Sequence, residues 1–391
     1  MIAKIEMPPT LITGYDSTAQ LAEIIPHLDI TKLFLIISGT LAEEDYIPKL
    51  LRDGKIPYFI FSPPKGEPTS GSVRLALEKL TANQCDGIAA IGGGSIIDLA
   101  KAVSVFAIHR EDTLETIQSR TAIKRLPFIA VPTTAGSGSE ATKVMVITEN
   151  GIKRNPAHRT FLPDAAVLDP RWLTRLPPDI AAFTGLDALT HAMEAYVSTK
   201  ANEMTDFYAL QAIKLIGHSL PLVYDKTADE TTYSGLLLGS TFAGIAFSNS
   251  STNLAHAAGR ALGAKFHLPH GLSVALLHPH VIKFGLGACQ DRYADIAIAL
   301  GFQEERDKNV LAEHTLRFVE GLNDRFGIYR HGGRYISDPE QFASSIPELA
   351  GNALSGNGIS TNRRLPGKED VEHIFHELNN RVSNQLREEY I

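Results

Sequence analysis

The chain has 391 residues, 44% of them hydrophobic and 21% charged, with a net charge of −7 and only two cysteines, Cys85 and Cys289. This length exceeds one typical core, so two domains are expected. The mild acidity and the absence of long one-sign runs exclude a phosphate backbone or an anionic membrane surface as the partner.

Two cysteines build no disulfide framework and suit a reducing cytoplasm. The stretch Met1–Pro9 lacks the basic start and apolar core of a signal peptide. No uncharged apolar run reaches the ~18 residues that a spanning helix needs.

In chain order, Leu33–Ile37 is a short apolar run that ends at Ser38-Gly39-Thr40, which reads as a buried strand and a tight turn. A helix is expected to Leu51, a strand over Ile56–Phe61, a loop over 62–71 and a helix over 72–83. Asp86–Ile91 reads as a third strand, Ile97–Ala107 as a helix, and Phe128–Val131 as a fourth strand. Strands alternating with helices predict a parallel sheet with helices on its faces. Ligands of such sheets sit at the carboxyl ends of the strands.

Two turns stand at such ends. Gly92-Gly93-Gly94-Ser95 lets a backbone approach a phosphate at a helix N-terminus, although three glycines also suit a plain tight turn. Pro132–Glu140 packs hydroxyls and glycines together, which suits a nucleotide and equally a capped helix start. Two such turns in one sheet favour a nucleotide site. Ser38 stands where dinucleotide folds usually place an acid for the ribose 2′-hydroxyl, so NADP is admissible beside NAD. Glu43, Glu44 and Asp45 follow closely and weaken that inference.

Val144–Thr148 reads as a strand and Glu149-Asn150-Gly151 as a hairpin turn. Prolines 163, 170, 177 and 178 punctuate the next stretch, and the boundary is placed at Thr184, giving domains 1–184 and 185–391. Beyond it helical spacing dominates. Asp187 and His191 are i and i+4 on one helical face, the spacing of two ligands of one ion and also of an unrelated acid and histidine. His256, His267 and His270 fall within fifteen residues, with His278 and His280 just beyond. A helix that ends, followed by a loop through Leu268-Pro269-His270-Gly271, would fold His256 and His270 towards one point. One carboxylate and three imidazoles, Asp187, His191, His256 and His270, suit Fe²⁺ or Zn²⁺ rather than Ca²⁺ or Mg²⁺.

Four motifs together, Gly92-Gly-Gly-Ser-Ile-Ile-Asp98-Leu-Ala-Lys, Pro132–Glu140, Gly185–Glu194 and Gly263–Gly271, resemble the iron-dependent, or group III, alcohol dehydrogenases over nearly the whole chain. The resemblance implies an α/β dinucleotide-binding domain with a parallel sheet, an all-α C-terminal domain, and thus a dehydroquinate synthase-like fold. It implies Asp187, His191, His256 and His270 as ligands of Fe²⁺ or Zn²⁺. It implies Gly92, Gly93, Gly94, Ser95, Asp98, Thr133, Thr134 and Ser137 as the cradle of NAD or NADP. It implies a small alcohol or aldehyde as substrate, reversible hydride transfer, and a homodimer or larger homo-oligomer.

One position departs from the family. Members commonly carry a second histidine four residues after the third ligand, where it assists proton transfer, and here that position is Arg260. A guanidinium stays protonated and is a partner for carboxylate, sulfonate or phosphonate rather than a proton shuttle. His267 is then the candidate for proton work, and Arg260 with Lys143 the candidates for selecting an aldehyde that bears an anionic group. Arg260 in a structural salt bridge and Lys143 in solvent is the plainer alternative. A zinc lyase of the dehydroquinate synthase type, a polyol dehydrogenase such as a glycerol dehydrogenase, and a non-catalytic filament subunit are the competing functions.

Overall fold

A computed structural model describes residues 3–149 and 151–389. Glu6–Leu176 forms one compact unit, and the chain from Pro177 onward, together with the segment that ends at Ile5, forms the other. The expected boundary at Thr184 falls instead inside a helix, Pro178–Val197. Pro177 and Pro178 begin that helix rather than break the chain, because a proline in the first turn forfeits an N–H that has no intrahelical partner anyway.

The first unit holds strands β1 (Leu11–Thr13), β2 (Leu33–Ile37), β3 (Tyr58–Phe61), β4 (Gly87–Gly92), β5 (Phe128–Pro132), β6 (Ile147–Glu149), β7 (Ile152–Arg154) and β8 (Ala165–Leu168). Six of them pair in parallel in the order β1-β8-β5-β4-β2-β3, and β6 and β7 form a separate antiparallel pair. Asn150, in the expected hairpin turn, lies outside the described residues. β2, β4 and β5 are buried throughout, as continuous apolar runs in a sheet covered on both faces should be.

Side chains alternate across a strand, so each strand feeds two cores. Leu33, Leu35, Ile37, Ile91 and Val131 enter one, with Leu21, Leu51 and Trp172. Phe34, Ile36, Ile88, Phe128 and Ala130 enter the other, with Leu80, Ile97 and Val103. The helix expected over 72–83 spans Ser70–Ala82, capped by Thr69. The helix expected after Ser38 is two pieces, Gly39–Ala42 and Tyr46–Asp53. Adjacent strands β2, β4 and β5 end at Ile37, Gly92 and Pro132, so the turns at 38, 93 and 133 share one edge of the sheet.

The regular elements of the second unit are all helices among its described residues. Its central helix, Pro178–Val197, is buried around most of its circumference. Helices Glu203–Tyr224, Glu230–Asn249 and His270–Gly285 pack on it. A helix apolar on all sides needs such a complete jacket. Leu254–Phe266 packs on His270–Gly285.

Candidate functional site

Three helices build a cluster of histidines and acids in the second unit. Pro178–Val197 carries Asp187, His191 and Glu194, Leu254–Phe266 carries His256, and His270 opens the helix that runs to Gly285. The expected reversal occurs at His267, which leaves the helix in a left-handed conformation, φ 58°, before Pro269 caps the next one. Glycines allow the helices to close. A Cβ on Gly271 would lie 2.2 Å from the Phe183 carbonyl oxygen, and one on Gly259 would lie 2.8 Å from a Val274 methyl.

One donor atom each from Asp187, His256 and His270 lies within 4.8 Å of the others. His256 Nε2 is 3.3 Å and His270 Nε2 3.7 Å from Asp187 Oδ1. His191 Nδ1 is 4.0 Å from Asp187 Oδ2, and its ring stacks between Phe247 and His256, at centroid distances of 4.1 Å and 4.0 Å. The His270 side chain is 37% exposed against 7% for Asp187, so the cluster opens on the His270 side.

The chemistry of this set fits a borderline divalent cation. Asp187 Oδ1 and His256 Nε2 are buried and make no hydrogen bond. Such atoms cost free energy unless something else satisfies them. Burial pushes the Asp187 carboxyl up, but the charges of His191 and His270 and the neighbouring His256 outweigh it and hold that group below the usual carboxylate range. Burial opposes a charge on His256, yet Glu194 and Asp187 raise its pKa to about 9. Asp187, His256 and His270 are therefore residues that could hold an ion, with His191 stacked beside them, and one carboxylate with imidazoles is a donor set for iron or zinc.

Glu194 is a member of the cluster that the motifs alone leave without a role. Its Oε2 accepts the His256 Nδ1 at 2.7 Å, and the chain around His256 donates to it as well. A signal for it exists in the spacing: positions 187, 191 and 194 fall on one helical face by the i, i+4, i+7 rule.

Arg260 lies one turn after His256. Its guanidinium donates to the Asn357 carbonyl at 3.0 Å and forms no ion pair with a described residue. Burial lowers its pKa and the field of Glu194 raises it. His267 is exposed. Lys143 does not point to bulk solvent: its ammonium meets Glu6 at 2.9 Å, with both side chains mostly covered.

In the first unit the two expected turns interlock. A Cβ on Gly94 would lie 2.4 Å from Ser137 Oγ, and one on Gly93 would lie 3.3 Å from Thr134 Oγ1. Thr133 N–H donates to the Gly92 carbonyl at 3.0 Å. Gly93, Gly94, Ser95, Thr134 and Ser137 form the accessible rim, while Gly92 and Thr133 are buried. The rim surrounds the start of helix Gly94–Phe106, where the positive dipole end favours phosphate.

Asp98 sits beneath the rim. Its two oxygens accept Ser139 Oγ at 2.5 Å and Val146 N–H at 2.9 Å. Fully buried Lys101 donates to Thr142 and Val144 and stands 3.5 Å from Asp98. Burial pushes the Asp98 carboxyl up and the Lys101 ammonium down, and each draws the other back. Asp98 therefore shapes the second turn from below. Ser38 begins the short helix after β2, and its N–H donates to the Ile91 carbonyl at 3.2 Å. The nearby acids are committed elsewhere: Glu44 pairs with Arg175 and Asp45 with Arg52, while Glu43 is exposed.

A parallel-sheet unit with paired glycine and hydroxyl turns, in one chain with a helical unit that gathers Asp187, His256 and His270, suits a metal-dependent dehydrogenase. Comparison with known proteins agrees. Residues 8–170 match the model of the iron-containing alcohol dehydrogenases, and residues 181–379 match that of the C-terminal part of the Fe-containing alcohol dehydrogenase family. The chain is similar to the probable alcohol dehydrogenase EutG of Escherichia coli (strain K12), 35% identical over 375 residues, covering 94% of this chain and 93% of that one. It superposes on a crystal structure of 1,3-propanediol oxidoreductase with a TM-score of 0.90 at 29% identity, covering 97% of this chain and 100% of the other. Sulfoacetaldehyde reductase from Bifidobacterium kashiwanohense, solved with NAD⁺, gives a TM-score of 0.86 at 25% identity, covering 97% and 99%. The chain belongs to the iron-containing alcohol dehydrogenase family. It is an alcohol dehydrogenase, and among its described residues no helix is long and apolar enough to cross a membrane.

Proposed function

We propose that this chain is a metal-dependent, NAD(P)-linked dehydrogenase that interconverts a small alcohol and its aldehyde, with a preference for an aldehyde bearing a carboxylate, sulfonate or phosphonate. The observation that carries the reading is the gathering of Asp187, His256 and His270 donor atoms within 4.8 Å, two of them buried without a hydrogen bond. Iron or zinc bound there supplies Lewis-acid polarisation, and a nicotinamide supplies or accepts the hydride.

The chain's own residues do the rest. Asp187 contributes the negative charge that offsets a divalent ion. Phe247 and the packed helices around His191 keep bulk water from that side of the donor set. Gly93, Gly94, Ser95, Thr134 and Ser137 offer backbone and hydroxyl donors to a diphosphate. Ser38 presents no carboxylate to a ribose 2′-phosphate, which supports use of NADPH as well as NADH. Arg260, near His256 and without a carboxylate partner among the described residues, supports an anionic group on the substrate. The likeness to sulfoacetaldehyde reductase points the same way. The engagement of Lys143 by Glu6 makes Lys143 the weaker candidate for that role. The exposure of His267 at its turn supports it as the candidate for proton work. Two free cysteines suit a reducing cytoplasm, and a homo-oligomer is the proposed assembly.

The test is absorbance at 340 nm with NADH and NADPH against neutral and anionic aldehydes, after restoring Fe²⁺ or Zn²⁺. Metal-dependent consumption of reduced nicotinamide is expected. No consumption with any aldehyde, metal and cofactor would overturn the reading.

A further inference from the structure

Glu194 is a buried acid, 3% exposed, that collects donors from the chain around His256. Its Oε2 accepts from His256 Nδ1 at 2.7 Å and from Asn253 N–H at 2.7 Å, and its Oε1 accepts from Ala255 N–H at 2.6 Å. Asn253 is itself fixed. Its amide nitrogen donates to the Glu194 carbonyl at 3.1 Å, and its amide oxygen accepts Thr361 Oγ1 at 2.8 Å. Asn253 and Ala255 flank the first residue of helix Leu254–Phe266, where backbone N–H groups lack intrahelical partners.

We propose that Glu194 is the positioning residue of the metal centre, locking His256 with its proton on Nδ1 and its Nε2 lone pair turned towards Asp187. This inference rests on the metal reading of Asp187, His191, His256 and His270. An ionised carboxylate only accepts, so the short contact places hydrogen on Nδ1. The nitrogen left to ligate is Nε2, the atom 3.3 Å from Asp187 Oδ1. Glu194 shares helix Pro178–Val197 with Asp187 and His191, so one carboxylate ties the helix bearing two ligands to the start of the helix bearing the third. Carboxylates behind metal-bound imidazoles fix the tautomer and the ring angle, and removing them weakens metal binding roughly 10–100-fold.

Glutamine is the informative replacement. It has the same shape but can accept at one end only. Its NH₂ must face either Ala255 N–H or the Asn253 and His256 donors, so one side of the clamp is lost. Zn²⁺ affinity of the metal-free protein, measured by competition with a chromogenic chelator, should fall roughly 10–100-fold in Glu194→Gln. Ser250→Ala serves as the control, because Ser250 Oγ donates to the Ala195 carbonyl on the same helix without reaching His256. Its Zn²⁺ affinity should stay within about threefold of wild type, a difference below 1 kcal/mol. Should Glu194→Gln fail to fold, the wild type still answers. In a ¹⁵N-histidine spectrum of the zinc-loaded protein, His256 should be protonated at Nδ1 and bound through Nε2. Wild-type affinity in Glu194→Gln, or zinc on Nδ1 of His256, overturns the role of Glu194. A wild type that binds no Zn²⁺ overturns the metal reading instead.

Discussion

His256 Nε2 stands 3.3 Å from Asp187 Oδ1, and neither buried atom makes a hydrogen bond. A donor and an acceptor so close would normally turn to each other. Here Glu194 holds the imidazole from behind. A cation between them would satisfy both atoms.

His278 offers a pH test outside the ligand set. Thr190 Oγ1 donates to the Leu186 carbonyl, so His278 Nδ1 donates to Thr190. Burial lowers its pKa to about 4, against the opposing pull of Glu194. A histidine with a depressed folded pKa adds stability above its unfolded value near 6.5, and that stability is lost as pH falls towards 4. The contribution is on the order of 3 kcal/mol. Urea unfolding between pH 7 and 4.5 should show a shallower pH slope in His278→Gln than in wild type.

Gly271→Ala should push apart the helices that bear His270 and Asp187. The new Cβ would meet the Phe183 carbonyl oxygen at 2.2 Å, and a backbone atom in a packed helix cannot swing aside. Overpacking of this kind costs about 1–3 kcal/mol. A lower urea midpoint together with weaker Zn²⁺ binding is expected, because Gly271 directly follows His270.

Arg260→Ala should separate substrates. A charged hydrogen bond lost to an anionic group is worth about 1.5–3 kcal/mol, roughly 10–100-fold in kcat/KM. Sulfoacetaldehyde or succinic semialdehyde should lose that factor while propanal changes little. Equal losses for neutral and anionic aldehydes would end the selection idea.

Ser38→Asp should turn the chain against NADPH. A carboxylate at the end of β2 would accept a ribose 2′-hydroxyl and repel a 2′-phosphate. The ratio of kcat/KM for NADPH over NADH should fall about tenfold or more, which corresponds to roughly 1.4 kcal/mol.

Much of the sheet can be read from residues, because strands buried on both faces are unbroken apolar runs: Leu33–Ile37, Gly87–Gly92 and Phe128–Pro132 carry that pattern. β1 and β8 do not. Leu11–Thr13 is three residues long, and Ala165–Leu168 follows Pro163 in a proline-marked stretch. The same prolines mislead at the boundary, since Pro177 and Pro178 serve as a helix start. At the site, the i and i+4 pair Asp187 and His191 is visible in sequence, and the family motif adds His256 and His270. Pairings over long separations are not legible: Lys143 with Glu6 joins residues far apart along the chain, as does Glu194 with Ala255 and His256. Asp98 is legible as a member of a motif, while its place beneath the turn depends on Ser139 and Val146 folding over it.

The most direct measurement is metal stoichiometry by elemental analysis after anaerobic loading with Fe²⁺ or Zn²⁺ and removal of excess. Wild type should retain about one ion per chain, as side-chain donors that converge on one ion and leave a position open for substrate do. Asp187→Asn and His256→Ala should retain almost none while keeping their helical circular dichroism. Folded variants that hold the same ion as tightly as wild type would contradict the assignment of these side chains as its ligands.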